Sequence, residues 1–507
     1  MVLILSQLIF LQARKAIRLL VVTHSVSRLI FKNMNHMFSA IKNSVAAIVI
    51  ALAVTSCDDR LDIIPAGQST LDKTTDLEGL VNQLYTLGSL DDLGYITGDQ
   101  AVKNIANQLT KTNTLTYAQL TGDESVDRKA LTENSSRYKI MYDYIYKFNI
   151  VEAKVYGSNG DDNLKRQLVA EARILRAYFH LLLVNIFAGQ YDEATAYKTG
   201  GISYNDNINT LEEKTKLNLD KVYEKVLGDC TDEVIADLKQ QPTGLVYRFA
   251  ADFGYAVRAR VLFQMKRYDE ALSYANKALA INNNIEDRRY LAETGKLNLG
   301  YDSPNNYMFL SSVAPIIAMG DLVNKIITPD IAALMDDNDY MLKYARQNAS
   351  TPAWDPVRGK SQAFDGAYTF RPMGYMINSW GLRAESMIYV AAESLIRLGR
   401  IRDGLEMIDN VRKLRIENAS MFADRASSLD EEGAMTLLMD AKRVEFIGTF
   451  ETFFDMKRWN SEDKYRRDII HNYGELGTFS ITPESELWIF PFPASATSIN
   501  KSLTHNY

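Results

Sequence analysis

Apolar residues recur at helical spacing through much of the chain. In one long segment they step by three or four positions, at Leu164, Leu168, Ala172, Leu175, Phe179, Leu182 and Ile186. This spacing is typical of one apolar face of an amphipathic helix. The stretch from Arg137 to Tyr156 is also helical in pattern, and the turn residues GSNGDD separate the two. The pattern predicts a helical hairpin near residues 137–190.

Two later segments resemble each other. ARVLFQMKRYDEALSYANKAL begins at Ala259, and AESLIRLGRIRDGLEMIDNVRKL begins at Ala392, an offset of 133 residues (392 − 259). Each has a helix, a short break and a second helix, which resembles the tetratricopeptide hairpin, although the usual period of that repeat is about 34 residues. We therefore predict hairpins near residues 215–282 and 382–460, stacked as a solenoid-like scaffold.

Three stretches lack this period. They lie near residues 85–125, 297–310 and 350–380, and the last holds three prolines and several aromatic residues. Loops of that length are usually functional or disordered, and aromatic content argues against disorder. We therefore expect the irregular insertions to carry the function.

The first 57 residues have the pattern of an export signal. Lys42 precedes ten apolar residues, Val45 to Val54, which are too few to span a membrane but fit a signal-peptide core. Val54-Thr55-Ser56-Cys57 resembles the bacterial lipobox, in which the cysteine receives a lipid and becomes the new N-terminus. We predict lipidation at Cys57 and a single domain from 58 to 507. Residues 1–33 precede a complete signal peptide, so we interpret them as a start-site artefact, with Met34 or Met37 as the true start.

Charge excludes one class of ligand. The chain has 57 basic and 63 acidic residues, and residues 1–57 hold six of the basic and none of the acidic ones. The remainder therefore carries 51 − 63 = −12. Nucleic-acid binding needs a basic surface, so an acidic body argues against it. The two cysteines cannot form a disulfide framework.

No motif for catalysis, a cofactor or a catalytic metal is evident. The histidines after Cys57 are His180, His471 and His505, and none has HExxH spacing. GxSxG elbows and phosphate-binding glycine loops are also missing. His180 lies in an apolar helix, where we expect a hydrogen-bonded structural role. The sequence therefore predicts a protein that is not an enzyme.

Five stretches in order resemble the SusD/RagB family of surface glycan-binding lipoproteins. They are CDDRLDIIPAGQSTLDKTTDLEGLVNQLY, EARILRAYFHLLLVNIFAG, GLRAESMIYVAAESLIRLGR, RVEFIGTFETFFDMKRWN and the closing LWIFPFP…NKSLTHNY. Two departures occur. Thr449 to Thr452 stand where the family often has Glu-Gly-x-Arg, and the usual ending is shortened to His505-Asn506-Tyr507.

The resemblance implies a mostly α fold, with tetratricopeptide-like helix pairs as a scaffold and an irregular loop-rich region packed over it. It also implies a lipid anchor in the outer membrane, exposure at the cell surface, and a SusC-type TonB-dependent transporter as partner. The ligand would be an oligosaccharide or polysaccharide, and the protein would deliver oligosaccharides to the transporter.

Family analogy places the sugar site in the irregular insertions, and sugars bind to aromatic faces, amides and carboxylates. We expect Trp459, Trp488 and Trp380 in the core and Trp354, between two prolines, at the surface. The predicted carbohydrate-binding residues are Tyr95, Asp99, Asn104, Asn107, Tyr301, Asn305, Asn306, Tyr307 and Trp354.

Two alternatives remain open at this level. A scaffold lipoprotein that assembles other proteins would need only the helical repeats, and the long aromatic insertions count against it. A lipid-anchored glycoside hydrolase would need two carboxylates at the right separation, which a chain with 63 acidic residues does not exclude.

Overall fold

The structure, a computed structural model, describes residues 71–102, 104–244, 247–290, 303–312, 325–343, 368–369 and 378–507. Residues Leu71–Tyr507 form one compact unit. The α-helices, numbered in chain order, are α1 Thr74–Val81, α2 Asp91–Ile96, α3 Ile105–Leu109, α4 Leu115–Thr121, α5 Ser136–Lys154, α6 Asp162–Phe187, α7 Leu219–Asp229, α8 Asp232–Ala236, α9 Ala251–Gln264, α10 Tyr268–Ile281, α11 Pro329–Ala332, α12 Ala384–Arg397, α13 Ile401–Arg412, α14 Glu431–Glu445, α15 Glu451–Asn460 and α16 Ala494–Thr497.

The strands are short. They are β1 Tyr85–Thr86, β2 Gln100–Val102, β3 Gly200–Ser203, β4 Lys216–Asn218, β5 Leu310–Ser311, β6 Lys325–Ile327, β7 Tyr368–Thr369, β8 Ile469–Asn472 and β9 Thr478–Ile481. The predicted fold class is therefore confirmed, because helices dominate and the few strands lie between or beside them. The predicted lipidation site Cys57 and the leader lie outside the described residues.

Consecutive helices pack as pairs. Helix α5 packs on α6, α9 on α10, and α12 on α13, while α10 also packs against α12 of the next pair. Pair-on-pair stacking of this kind is what makes a helical-repeat scaffold. The pattern of apolar residues predicted these pairs because each helix needs a neighbour to cover its apolar face.

Helix α6 is the longest element of the scaffold. The side chain of Asp161 accepts a hydrogen bond from the backbone N–H of Leu164 at 2.8 Å and so caps the N-terminus. The sequence predicted one apolar face, but almost every side chain after Leu168 is buried. Glu171 is 2% exposed and accepts a bond from Arg248 Nε at 3.1 Å. The helix is therefore central, and its buried charges are paired as burial requires.

Strand pairing joins segments that are far apart in the sequence. Strand β1 pairs in parallel with β5, so that Tyr85 lies beside Leu310. Strand β2 pairs with β6, which also pairs with β7, both antiparallel. These pairings bind the irregular segment after α1 to the two later insertions. The irregular region is thereby drawn together beside the scaffold.

The segment RVEFIGTFETFFDMKRWN forms the end of α14 and all of α15 and carries a buried ionic cluster. Arg458 and Glu393 are both 0% exposed. Arg458 Nη1 donates to Glu393 Oε1 at 2.6 Å, and Lys442 Nζ lies 2.6 Å from Asp455 Oδ2. Glu451, one of the positions that departs from the family pattern, accepts from Ser386 Oγ at 2.6 Å. This segment is therefore structural.

Three tryptophans lie in the core, as predicted. Trp380, Trp459 and Trp488 are 0%, 2% and 4% exposed. Their indole N–H groups donate to the carbonyl of Gly88, the carboxylate of Glu393 and the carbonyl of Thr482. A buried indole needs such a partner, so these rings are not available to a ligand.

Candidate functional site

The predicted residues of the first irregular segment divide into a buried and an exposed group. Asp99 is 2% exposed, and its Oδ1 accepts a bond from Arg443 Nη2 at 3.0 Å. Burial raises the pKa of Asp99 above its usual value, although the Arg443 guanidinium opposes this. The sequence predicted that this carboxylate contacts a sugar, but in the structure it is buried and pairs with the Arg443 guanidinium. Its role is to hold the segment on α14.

Asn104 immediately precedes α3 and Asn107 lies within it, and both are exposed. Tyr95 is half-buried and packs on a small apolar cluster that includes Ala101 and Ile105. Burial, with the nearby carboxylates of Asp91 and Asp92, raises the pKa of Tyr95, so its hydroxyl stays protonated at neutral pH. These three side chains give the first irregular segment an aromatic ring and two amides.

The predicted residues of the second irregular segment that the structure describes differ in their burial and their partners. Asn305 is 1% exposed, and its Nδ2 donates to both oxygens of Glu385 at 2.9 and 2.8 Å. Tyr307 is buried and donates its hydroxyl to the carbonyl of Asn282 at 2.9 Å. Both were predicted to contact sugar, and both are instead held by internal bonds. Asn306 is half-buried, and its Oδ1 accepts from Asn378 Nδ2 at 2.8 Å.

Tyr301 and Trp354 fall outside the described residues, so their roles stay predictions. The strand pairings bear on the rest of the predicted site. Because β1 pairs with β5, the first irregular segment runs beside the residues that follow Tyr307. The β2–β6–β7 sheet joins the same segment to the insertion that contains Trp354. These pairings tie the backbone of the first irregular segment to that of the later ones.

A cleft of about 570 Å³ opens beside Asn306 and Tyr307. The rest of its lining comes from the loop before α9, the first turn of α9 and the residues that follow α10, including Tyr247, Asp252, Asn282 and Asn284. None of these four residues is among the predicted carbohydrate-binding residues. A signal was present, because the triplet of asparagines at 282–284 and the turn residues Pro242-Thr243-Gly244 have the amide and turn density that singled out residues 297–310.

His180 is held by backbone groups at both ring nitrogens. His180 Nδ1 donates to the carbonyl of Arg176 at 2.9 Å, and its Nε2 accepts the backbone N–H of Asn205 at 3.0 Å. Burial lowers the pKa of His180 to about 3, so the ring is neutral and structural, as predicted. Within the described ranges, no group of three or more His, Cys, Asp or Glu side chains could hold a metal ion.

Among the residues that the structure describes, no helix combines the length and the apolarity needed to cross a bilayer.

Sequence comparison gives one family. Residues 61–262 match the model of a SusD-like family described as starch-binding and associating with the outer membrane. No curated protein sequence matches the chain significantly.

Solved structures with a similar fold include three whose names bear on the family. A SusD superfamily protein from Bacteroides thetaiotaomicron has a TM-score of 0.65 at 14% identity and covers 86% of this chain and 100% of its own. A putative sugar binding protein from Bacteroides vulgatus has a TM-score of 0.64 at 14% identity, over 87% of this chain and 99% of its own. Surface glycan-binding protein A from Bacteroides uniformis has a TM-score of 0.57 at 14% identity, over 75% and 87%.

At such low identity these structures establish the fold alone, while the family model adds a sequence match over the N-terminal part. Both findings agree with the order of segments noted in the sequence. The resemblance to the SusD/RagB family is therefore confirmed: residues 61–262 carry the sequence pattern of a SusD-like family, and the chain has the SusD fold.

Proposed function

We propose that this protein is a cell-surface lipoprotein that binds oligosaccharides and delivers them to a SusC-type TonB-dependent outer-membrane transporter. The observation that carries the proposal is the match of residues 61–262 to a family described as starch-binding and associating with the outer membrane. The structural neighbours known as a putative sugar binding protein and as surface glycan-binding protein A support the same ligand class. The protein binds its ligand without turnover.

The proposed sugar contacts come from the irregular segments. Tyr95, Asn104 and Asn107 supply a ring and amides from the first segment, and Asn306 contributes from the second. Tyr301 and Trp354 complete the proposed set. Asp99, Asn305 and Tyr307 act indirectly by fixing the backbone beneath these groups, because their polar atoms are engaged internally.

The test is a glycan-array screen of the chain from Asp58 onward, which contains the whole compact unit Leu71–Tyr507. Trp354→Ala is screened beside it, with Tyr156→Ala as a control because Tyr156 is an aromatic side chain 63% exposed beside the scaffold helix α5. We expect a specific glycan hit that Trp354→Ala loses and Tyr156→Ala keeps. A protein that binds no glycan would favour a scaffold role, and release of reducing ends from a bound glycan would favour a hydrolase.

The anchor and the partner have their own tests. Labelled fatty acid should be incorporated into the full chain expressed in a Bacteroides host and not into Cys57→Ala. A transporter of the SusC type should co-purify with the anchored protein from detergent-solubilised outer membranes. Incorporation of lipid into Cys57→Ala would contradict the proposed anchor.

A further inference from the structure

The cleft beside Asn306 and Tyr307 has a lining that suits a sugar ring. Its volume of about 570 Å³ lies in the range of small-molecule sites. Tyr247, which is half-buried, and Phe249 contribute aromatic surface, and Asn282, Asn284 and Asn306 contribute amides. A sugar presents apolar C–H faces and many hydroxyl groups, so it needs this combination of surfaces.

The amides at the end of α10 are already positioned. Asn282 Oδ1 accepts from the backbone N–H of Asn284 at 3.1 Å and from its Nδ2 at 2.8 Å. Asn282 Nδ2 donates to the carbonyl of Pro304 at 3.0 Å. Asn284 Oδ1 accepts no hydrogen bond from the described part of the chain. Asn284 is exposed, so a fixed acceptor stands at the rim of the cleft, and pre-organised groups of this kind favour binding.

The charge of the cleft selects among sugars. Asp252 is 1% exposed, accepts the backbone N–H of Phe253 at 2.8 Å, and has no cation as partner among the described residues. Burial raises its pKa to about 6, so it is mostly ionised at pH 7. Arg248 also lines the cleft, but its guanidinium pairs with both Glu171 and Glu78. Asp252 and Arg248 are the charged residues among the described lining of the cleft, and the charge of Arg248 is already matched by its two carboxylate partners.

We infer that this cleft is a second saccharide-binding site, one that accepts neutral or amine-bearing sugar rings and excludes anionic ones. The inference rests on the proposed function, and apart from Asn306 its residues differ from those proposed for the loop site that contains Trp354. A uronate or sulfate in the cleft would meet the unpaired carboxylate of Asp252. A sugar ammonium group would instead supply the cation that Asp252 lacks.

The experiment titrates three probes by calorimetry: a maltose-series tetramer, a glucosamine tetramer and a galacturonic acid tetramer. The protein is the chain from Asp58 onward carrying Trp354→Ala, so that binding at the cleft is measured by itself. The variants added to it are Asn284→Ala and Asp252→Asn. The matched control is Asn283→Ala, because Asn283 is exposed and adjacent but does not line the cleft.

We expect the neutral and the amine-bearing tetramers to bind and the galacturonic acid tetramer not to bind. Asn284→Ala should weaken binding about tenfold, the effect of one lost hydrogen bond. Asp252→Asn should remove the preference for the glucosamine tetramer over the maltose-series tetramer. Asn283→Ala should leave every affinity unchanged, and thermal unfolding checks that each variant is folded.

Two results would overturn the inference. One is that Asn284→Ala and Asp252→Asn, both folded, bind every tetramer as Asn283→Ala does. The other is that none of the three tetramers binds. The glycan array on the protein with Trp354 intact tests the proposed function by itself. A failure of the second-site inference can therefore be distinguished from a failure of the proposed function.

Discussion

Lys266 and Gly399 occupy the same left-handed turn position in two different helical hairpins. Their φ angles are +60° and +79°. In both turns, the N–H of the next residue donates to a carbonyl in the last turn of the preceding helix, Arg267 to Leu262 and Arg400 to Leu395. This is the Schellman arrangement, in which glycine is usual because other residues are strained there. The offset of 133 residues noted in the sequence therefore relates structurally equivalent turns.

We predict that Lys266→Gly stabilises the protein and that Gly399→Ala destabilises it, each by about 1 kcal/mol. A Cβ on Gly399 would have no heavy atom within 4 Å, so its cost would be conformational only. The measurement is the midpoint of urea unfolding. Lys266→Ala is the control, because it removes the side chain but keeps the strained φ angle. If Lys266→Ala stabilised as much as Lys266→Gly, the side chain and not the backbone would be responsible.

The buried pair of Arg458 and Glu393 gives a second prediction. Although burial opposes it, the guanidinium groups of Arg458 and Arg397 lower the pKa of Glu393 well below its usual range. Glu393→Gln would leave buried positive charge without its partner, so we expect a loss of about 3–5 kcal/mol in the free energy of unfolding. Chemical denaturation measures it.

The control for that prediction is Glu406→Gln on α13. Glu406 Oε1 lies 3.3 Å from Arg402 Nη1, and both side chains are more than half exposed. Exposed pairs contribute little, so the change should be within about 0.5 kcal/mol. Equal losses from the two substitutions would contradict the assignment of Glu393 to a buried cluster that stabilises the fold.

Lys457 gives a prediction about pH. Its Nζ donates to the carbonyls of Asn185 and Ala188 at the end of α6, at 2.6 and 2.7 Å. Burial lowers the pKa of Lys457 from 10.5 to about 7. Between these values the unfolded chain binds a proton that the folded chain does not, so stability rises with pH from about 7 towards 10.5.

Lys457→Met removes that proton. We expect the free energy of unfolding of the unsubstituted protein to rise about 1.4 kcal/mol per pH unit more steeply than that of the variant at pH 8–9. The variant should also be less stable at pH 9, because two carbonyls lose their donor. Urea unfolding at pH 7, 8 and 9 tests both points. Parallel pH dependences for the two proteins would show that Lys457 is charged in the folded state.

The closing residues yield a fourth prediction. Asn506 Nδ2 donates to the carbonyls of Phe187 and Gly201 at 2.7 and 2.8 Å. Asn506→Ala leaves both acceptors without this donor, and we expect a loss of about 1–3 kcal/mol in thermal or chemical unfolding. Lys501→Ala is the control because Lys501 is exposed. If Asn506→Ala leaves the free energy of unfolding unchanged, the shortened ending does not contribute to the stability of the fold.

The sequence by itself determined the helices, their pairing and the membership of Trp380, Trp459 and Trp488 in the core. Periodicity and capping act between residues a few positions apart, so the local sequence records them. The sequence also showed the offset between the two similar hairpins, because equivalent positions in repeated units carry similar residues. The anchor at Cys57 remains a prediction of the same local kind.

Only the tertiary structure decided which polar residues are engaged internally. Asp99 and Asn305 are residue types that occur in sugar sites. Their side chains are nevertheless held by Arg443 and Glu385, which are distant from them in the sequence. The strand pairing of Tyr85 with Leu310 and the cleft between Asn284 and Asn306 also join distant segments. Such contacts depend on how the scaffold brings loops together, and no local pattern in either loop specifies its partner.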